Sequence, residues 1–127
     1  MMRAVLDTDV FIDFLHDRTM GEGLFNDIIN EKIIGMVSVM TEAELLSGSE
    51  CNNAARRQVV EDLLCTCHKI EVIMSIAQKA GELRRTYRTP LIDACIAATA
   101  ITANAVLFSR NKKDFAPIQE LQLKAPY

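Results

Sequence analysis

Ala4-Val5-Leu6-Asp7-Thr8-Asp9 is a short apolar run that stops on a carboxylate and meets a second carboxylate two residues later. Burying Val5 and Leu6 in a sheet carries Asp7 to the strand's end, where a parallel sheet opens into a ligand-binding crevice. An acidic side chain at such a place points to a metal or a proton-transfer site. The reading becomes sharp only if carboxylates remote in sequence reach equivalent places.

Beyond Asp7, the residues Val10, Phe11, Phe14 and Leu15 recur at helical spacing, so strand passes directly into helix. Leu24, Phe25, Ile28 and Ile29 repeat the pattern in a second helix that stops near Asn30-Glu31-Lys32. The β-branched run from Ile33 to Val39, interrupted by Gly35, predicts a second strand. Helices are expected from Thr41 to Leu46, ending near Gly48, and from Ala54 to Leu64, with Val59, Val60, Leu63 and Leu64 as its apolar face. Ile70 to Ile73 reads as a short strand and Ile76 to Arg85 as a helix. Thr89-Pro90 reads as a cap with proline at the first position of a helix from Leu91 to Thr102, and Ala105 to Ser109 as a strand. Strands alternating with helices predict one α/β domain over residues 1–127, with a mostly parallel central sheet flanked by helices.

The length suits a single domain with a core of its own, because a chain of this size buries roughly two-thirds of its unfolded surface. Half of the residues are hydrophobic but only 6% are aromatic, with no Trp, so Ile, Leu, Val, Ala and Met must fill that core. A net charge of −3 gives no global case for nucleic-acid binding, and a polyanion would have to meet a local basic surface or a metal-neutralised site. No apolar run approaches the roughly 18 residues that span a bilayer, which leads us to expect a cytoplasmic protein with no membrane partner. Cys65-Thr66-Cys67-His68 lacks the second spaced pair of a zinc site, so Cys51, Cys65, Cys67 and Cys95 are expected to be reduced structural thiols. His16 and His68 stand apart from any catalytic partner pattern.

Carboxylates lie beside strand or helix ends at four places: Asp7 with Asp9, Glu42 with Glu44, Asp93, and Asp114. Convergent carboxylates are the usual way to supply oxygen ligands to Mg²⁺ or Mn²⁺, and such ions serve phosphodiester hydrolysis by activating water and offsetting charge on the leaving oxygen. Each also has a structural explanation. Asp9 suits an N-cap, Thr41 to Glu44 a capping box, and Glu42 and Asp93 the positive end of a helix dipole. Asp7 alone has no capping duty unless it reaches the next helix.

Four stretches carry a family resemblance: Val5 to Val10, Ser38 to Gly48, Leu91 to Ala100 with its Asp-Ala-Cys-Ile-Ala-Ala-Thr-Ala run, and Leu107 to Phe115. In order and spacing they resemble the PIN domain, specifically the VapC type of toxin ribonuclease, over nearly the whole chain. The resemblance implies a three-layer α/β/α fold and an endoribonuclease that uses Mg²⁺ or Mn²⁺. It makes Asp7, Glu44 and Asp93 the metal ligands, with Glu44 rather than Glu42 in the second place. Asn111 stands where many relatives have a fourth acidic residue, and a helical turn would let Asp114 face the same cleft. Asp9, Ser109 and Asn111 then support the site. A homodimer held inactive by a small antitoxin is the implied assembly.

Arg110, Lys112 and Lys113 beside the site, and Arg84, Arg85 and Arg88 around Tyr87, are the candidates for RNA contact. Tyr87 would stack an unpaired base. Two other classes fit parts of the pattern. Asp7-Thr8-Asp9 mimics the start of a haloacid-dehalogenase-like phosphatase with Asp7 as nucleophile, although Phe11 stands where that motif has Thr or Val. A receiver-like signalling module fits the length and alternation, but its phosphoacceptor would have to be Glu61 or Asp62, inside a predicted helix.

Overall fold

The computed structural model describes residues 1–127. Strand β1 (Met2–Leu6) leads into α1 (Thr8–His16) and α2 (Glu22–Ile29), then β2 (Ile33–Ser38), α3 (Val39–Leu46), a 3-10 turn (Ser49–Asn52) and α4 (Ala54–Leu64). There follow β3 (His68–Ile70), α5 (Met74–Tyr87), α6 (Leu91–Thr102), β4 (Val106–Phe108), α7 (Lys112–Phe115) and β5 (Leu123–Lys124). All four strand pairings are parallel, in the order β3-β2-β1-β4-β5.

β1 is central because its residues are apolar on both faces. Ala4, Val5 and Leu6 are fully buried, with Ala4 and Leu6 in one core cluster and Val5 in the other. Such continuous apolarity is what a parallel sheet covered on both sides requires. The first cluster unites β1 with α1, α2 and α4 through Phe11, Phe25, Val60 and Leu64, and the second packs Ala80, Leu83, Ile96 and Ala97 of α5 and α6 on Val5 and Leu107. Gly35 lets α2 approach β2, since a Cβ there would meet Ile28 at 3.0 Å. The strand order reverses between β1 and β4, so their carboxyl ends form a switch-point crevice.

Several expected boundaries move. Ser38, not Thr41, caps α3 by accepting the Met40 N–H, which removes the capping-box reading of Glu44. Asp7, not Asp9, caps α1. β3 lies over His68–Ile70 rather than Ile70–Ile73, because pairing with Met36 to Ser38 decides it over local apolarity. Pro90 occupies the cap position of α6, and the Thr89 hydroxyl is buried without a partner. β5 and α7 are short additions, and the sheet is wholly parallel. All four cysteines are free.

Candidate active site

The site is assembled where β1 and β4 end. Asp7 continues the ladder by donating its N–H to the Phe108 carbonyl (3.0 Å), and its side chain then serves α1. One carboxylate oxygen accepts the Thr8 N–H at 2.8 Å, and the other accepts the Ser109 hydroxyl at 2.8 Å. Asp7 is 4% exposed. Burial first, and then the neighbouring Asp9 charge, push its carboxyl up to about 7 against the Ser109 and Thr8 hydrogen bonds.

Asp9, in the first turn of α1, accepts the Arg110 N–H at 3.0 Å. The single Ser109 proton goes to Asp7, because Asp9 Oδ2 lies farther away at 3.4 Å. Burial also raises the Asp9 carboxyl above its ordinary value, and its Oδ1 is buried with no hydrogen-bond partner. Ser109 Oγ accepts the Asn111 N–H at 2.9 Å, so the turn after β4 closes over both aspartates.

Glu44 enters from α3. The Thr8 hydroxyl donates to Glu44 Oε1 at 2.6 Å, which leaves Thr41, 3.0 Å away, to donate to Thr8. Glu42 instead pairs with Lys69 and takes no part in the cluster.

Asp93, in the first turn of α6, is half-buried and pushed up to about 6 by burial, then by the charges of Asp114 and Glu44. The Asp114 carboxyl approaches it closely enough to help raise it. Asn111 makes that approach possible, as its Oδ1 caps α7 on the Asp114 N–H (3.3 Å) while its Nδ2 donates to Asp114 Oδ2 (3.0 Å). The residue that departs from the acidic pattern therefore orients the acid three positions later.

The donor set is hard oxygen, with mutually repelling carboxylates and one unpartnered buried oxygen, and it fits a divalent cation such as Mg²⁺. No three His, Cys, Asp or Glu side chains close around one point at ligand distance. That spacing suits an ion held by one or two carboxylates and keeping several waters, as Mg²⁺ does.

The basic candidates divide. Lys112 and Lys113 are exposed beside Asp114 on α7. Arg110, by contrast, has its guanidinium engaged by Asp13, and Tyr87 packs half-buried against the α5–α6 core. The sequence reading gave no site role to Thr8, Asp13 or Tyr127, and gave Thr41 only a capping one. Thr8 lay within the Asp-Thr-Asp motif, whereas nothing local to Asp13 or Tyr127 marked them.

The family description of the PIN domain matches residues 4–121, which take in every carboxylate of the cluster. The chain belongs to the PIN domain family. A chain in a toxin–antitoxin complex from Klebsiella pneumoniae is 30% identical to this PIN domain, with a TM-score of 0.79 and 98% of each chain covered. Chains in the DNA-bound VapBC of Salmonella typhimurium (19% identity, TM-score 0.85, 100% of each covered) and VapBC2 of Rickettsia felis bound to a promoter DNA fragment (23%, 0.78, 98% of each) share the fold. Comparison with curated proteins gave no match. PIN-domain toxins are nucleases, and membership of the family sets aside the phosphatase and receiver readings. No helix of this PIN domain is long and apolar enough to cross a membrane.

Proposed function

We propose that this PIN domain is a VapC-type toxin, a Mg²⁺- or Mn²⁺-dependent endoribonuclease. The observation that carries the reading is the gathering of Asp7, Asp9, Glu44, Asp93 and Asp114, from four separate elements, into a cluster of like charge at the switch point, with Asp7 buried and the others part-buried. A bound divalent ion would offset the charge of a phosphodiester and of its leaving oxygen, and would supply an activated water. Asp7, Glu44 and Asp93 would hold the ion. Ser109 and Thr8 fix the Asp7 and Glu44 carboxylates, and Asn111 fixes Asp114, so the donors are oriented before substrate arrives. Lys112 and Lys113 lie beside Asp114 to meet the RNA backbone. No side-chain nucleophile is needed, since an activated water would make the attack.

A small antitoxin and a second copy of the chain complete the proposed assembly. Support comes from the toxin–antitoxin complex that holds the 30% identical chain. A groove of about 660 Å³ also opens beside Glu44, lined on its apolar side by Ile12, Leu15, Leu45, Val59 and Val60. The purified protein should cleave RNA only with Mg²⁺ or Mn²⁺ present, and Asp7→Asn should abolish cleavage. Robust cleavage by that variant, or by wild type in chelator, would sink the assignment.

A further inference from the structure

We propose that Arg110 is a positioning residue of the acidic site, clamped by Asp13 and Tyr127 so that the Ser109–Asn111 turn stays closed over Asp7 and Asp9. Its backbone and its side chain hold the same face of α1 at successive turns. The Arg110 N–H donates to Asp9, while Nε and one Nη donate to the two Asp13 oxygens at 2.6 and 2.8 Å. This is the bidentate fork that makes guanidinium–carboxylate pairs both strong and directional. The Asp13 side chain is 12% exposed and that of Arg110 50%, so it is the two-bond fork geometry more than burial that sets the pair apart from a loose surface ion pair.

Tyr127 closes the arrangement from beyond β5. Its hydroxyl donates to the same Asp13 oxygen that Arg110 Nε engages, and its ring lies against Gly21, where a Cβ would stand 3.4 Å from the ring edge. The clamp thus ties α1, the start of α2, the β4–α7 turn and the segment after β5 at one point. Removing the guanidinium would leave the Asp13 charge facing Asp9 without compensation and release the turn that carries Ser109 and Asn111. Those two residues orient Asp7 and Asp114, so Arg110 acts on the site without touching substrate. The fork occupies two of the five guanidinium N–H donors, and a phosphate contact through the others is the competing role that the salt dependence below separates.

The catalytic readout rests on the nuclease reading; two others do not. Arg110→Lys keeps the charge but loses the fork, and Asp13→Asn keeps the shape but loses the charge. Each should raise amide exchange across residues 109–114 in the metal-free protein, leaving β1 unchanged, and weaken Mn²⁺ binding in calorimetry by about 10- to 100-fold. The double variant should be no worse than the poorer single. In cleavage assays kcat should fall while KM for RNA moves less than about twofold, since no substrate contact is lost. Should Asp13→Asn fail to fold, Tyr127→Phe removes one hydroxyl and should raise the same exchange more mildly.

Wild-type exchange and Mn²⁺ affinity in Arg110→Lys would overturn the proposal. So would an Arg110→Ala variant whose only defect is weaker RNA binding, with a salt slope reduced by about 0.7, the mark of one lost phosphate contact on a single strand. A wild-type protein that cleaves no RNA would refute the nuclease reading, and the exchange and Mn²⁺ measurements would still decide the clamp.

Discussion

Replacing Asp7 by Asn removes a charge that burial, Asp9 and Asp93 all disfavour, and leaves the local hydrogen bonds satisfiable. The Asn carbonyl still accepts the Thr8 N–H, and its amide can donate to Ser109 Oγ, freeing the Ser109 proton for Asp9. In the native protein the Asp7 carboxyl is pushed from its ordinary 3.8 up to about 7. That displacement corresponds to roughly 4 kcal/mol at about 1.4 kcal/mol per pH unit. The native state holds this proton more tightly than the unfolded chain does. Below pH 3.8 both states carry the proton and the position costs nothing; as pH rises from 3.8 to about 7 native stability falls, and above that the whole cost is present. Asp7→Asn should therefore match wild type near pH 4 and exceed it by about 4 kcal/mol at pH 8 in chelator. With an unfolding entropy of about 2.1 cal/mol/K per residue over 127 residues, this is a rise in Tm of about 15 °C. Urea and thermal unfolding across pH 4 to 8.5, with EDTA throughout, measure the gap. A variant less stable than wild type at pH 8, or a gap that does not change with pH, would refute the reasoning.

Thr8→Val keeps the shape but strips Glu44 and Thr41 of a buried partner, and urea unfolding should show a loss of about 2–3 kcal/mol. Glu42→Gln breaks a part-exposed ion pair with Lys69 and should change stability by less than about 1 kcal/mol with cleavage intact, whereas Glu44→Gln should lose cleavage. Phe11→Ala, at a fully buried ring packed edge-on to Phe25, should cost about 3–5 kcal/mol in chemical unfolding.

Much of this architecture is legible along the chain because it follows from period and burial. Val5-Leu6 had to be central, and the Ala-rich α6 had to lie close to the sheet, where Ala94, Ala97, Ala98 and Ala100 are all fully buried. The four acidic positions lie beside strand and helix ends, so their meeting at one cleft follows once those ends share a side of the sheet. Elements of two to four residues, β5 and α7, have no period to read. Roles set by distant partners were equally hidden. Asp7 looked free of capping duty, yet the ladder with Phe108 places it at the start of α1. Thr41 looked like a cap until Ser38 took that place and left Thr41 to brace Thr8. Arg110 read as a free cation because its carboxylate partner lies 97 residues earlier.

The parallel pairing of β1 with β4 also governs when the cleft can exist. Asp7 is synthesised well before the strand that completes its ladder and the turn that holds its carboxylate, which span Val106 to Asn111. A nascent chain carries β1 with one edge unpaired, and before residue 93 it carries neither of the later acids. On the nuclease reading, a translation product that stops short of Asp114 lacks part of the acidic cluster and should be inactive.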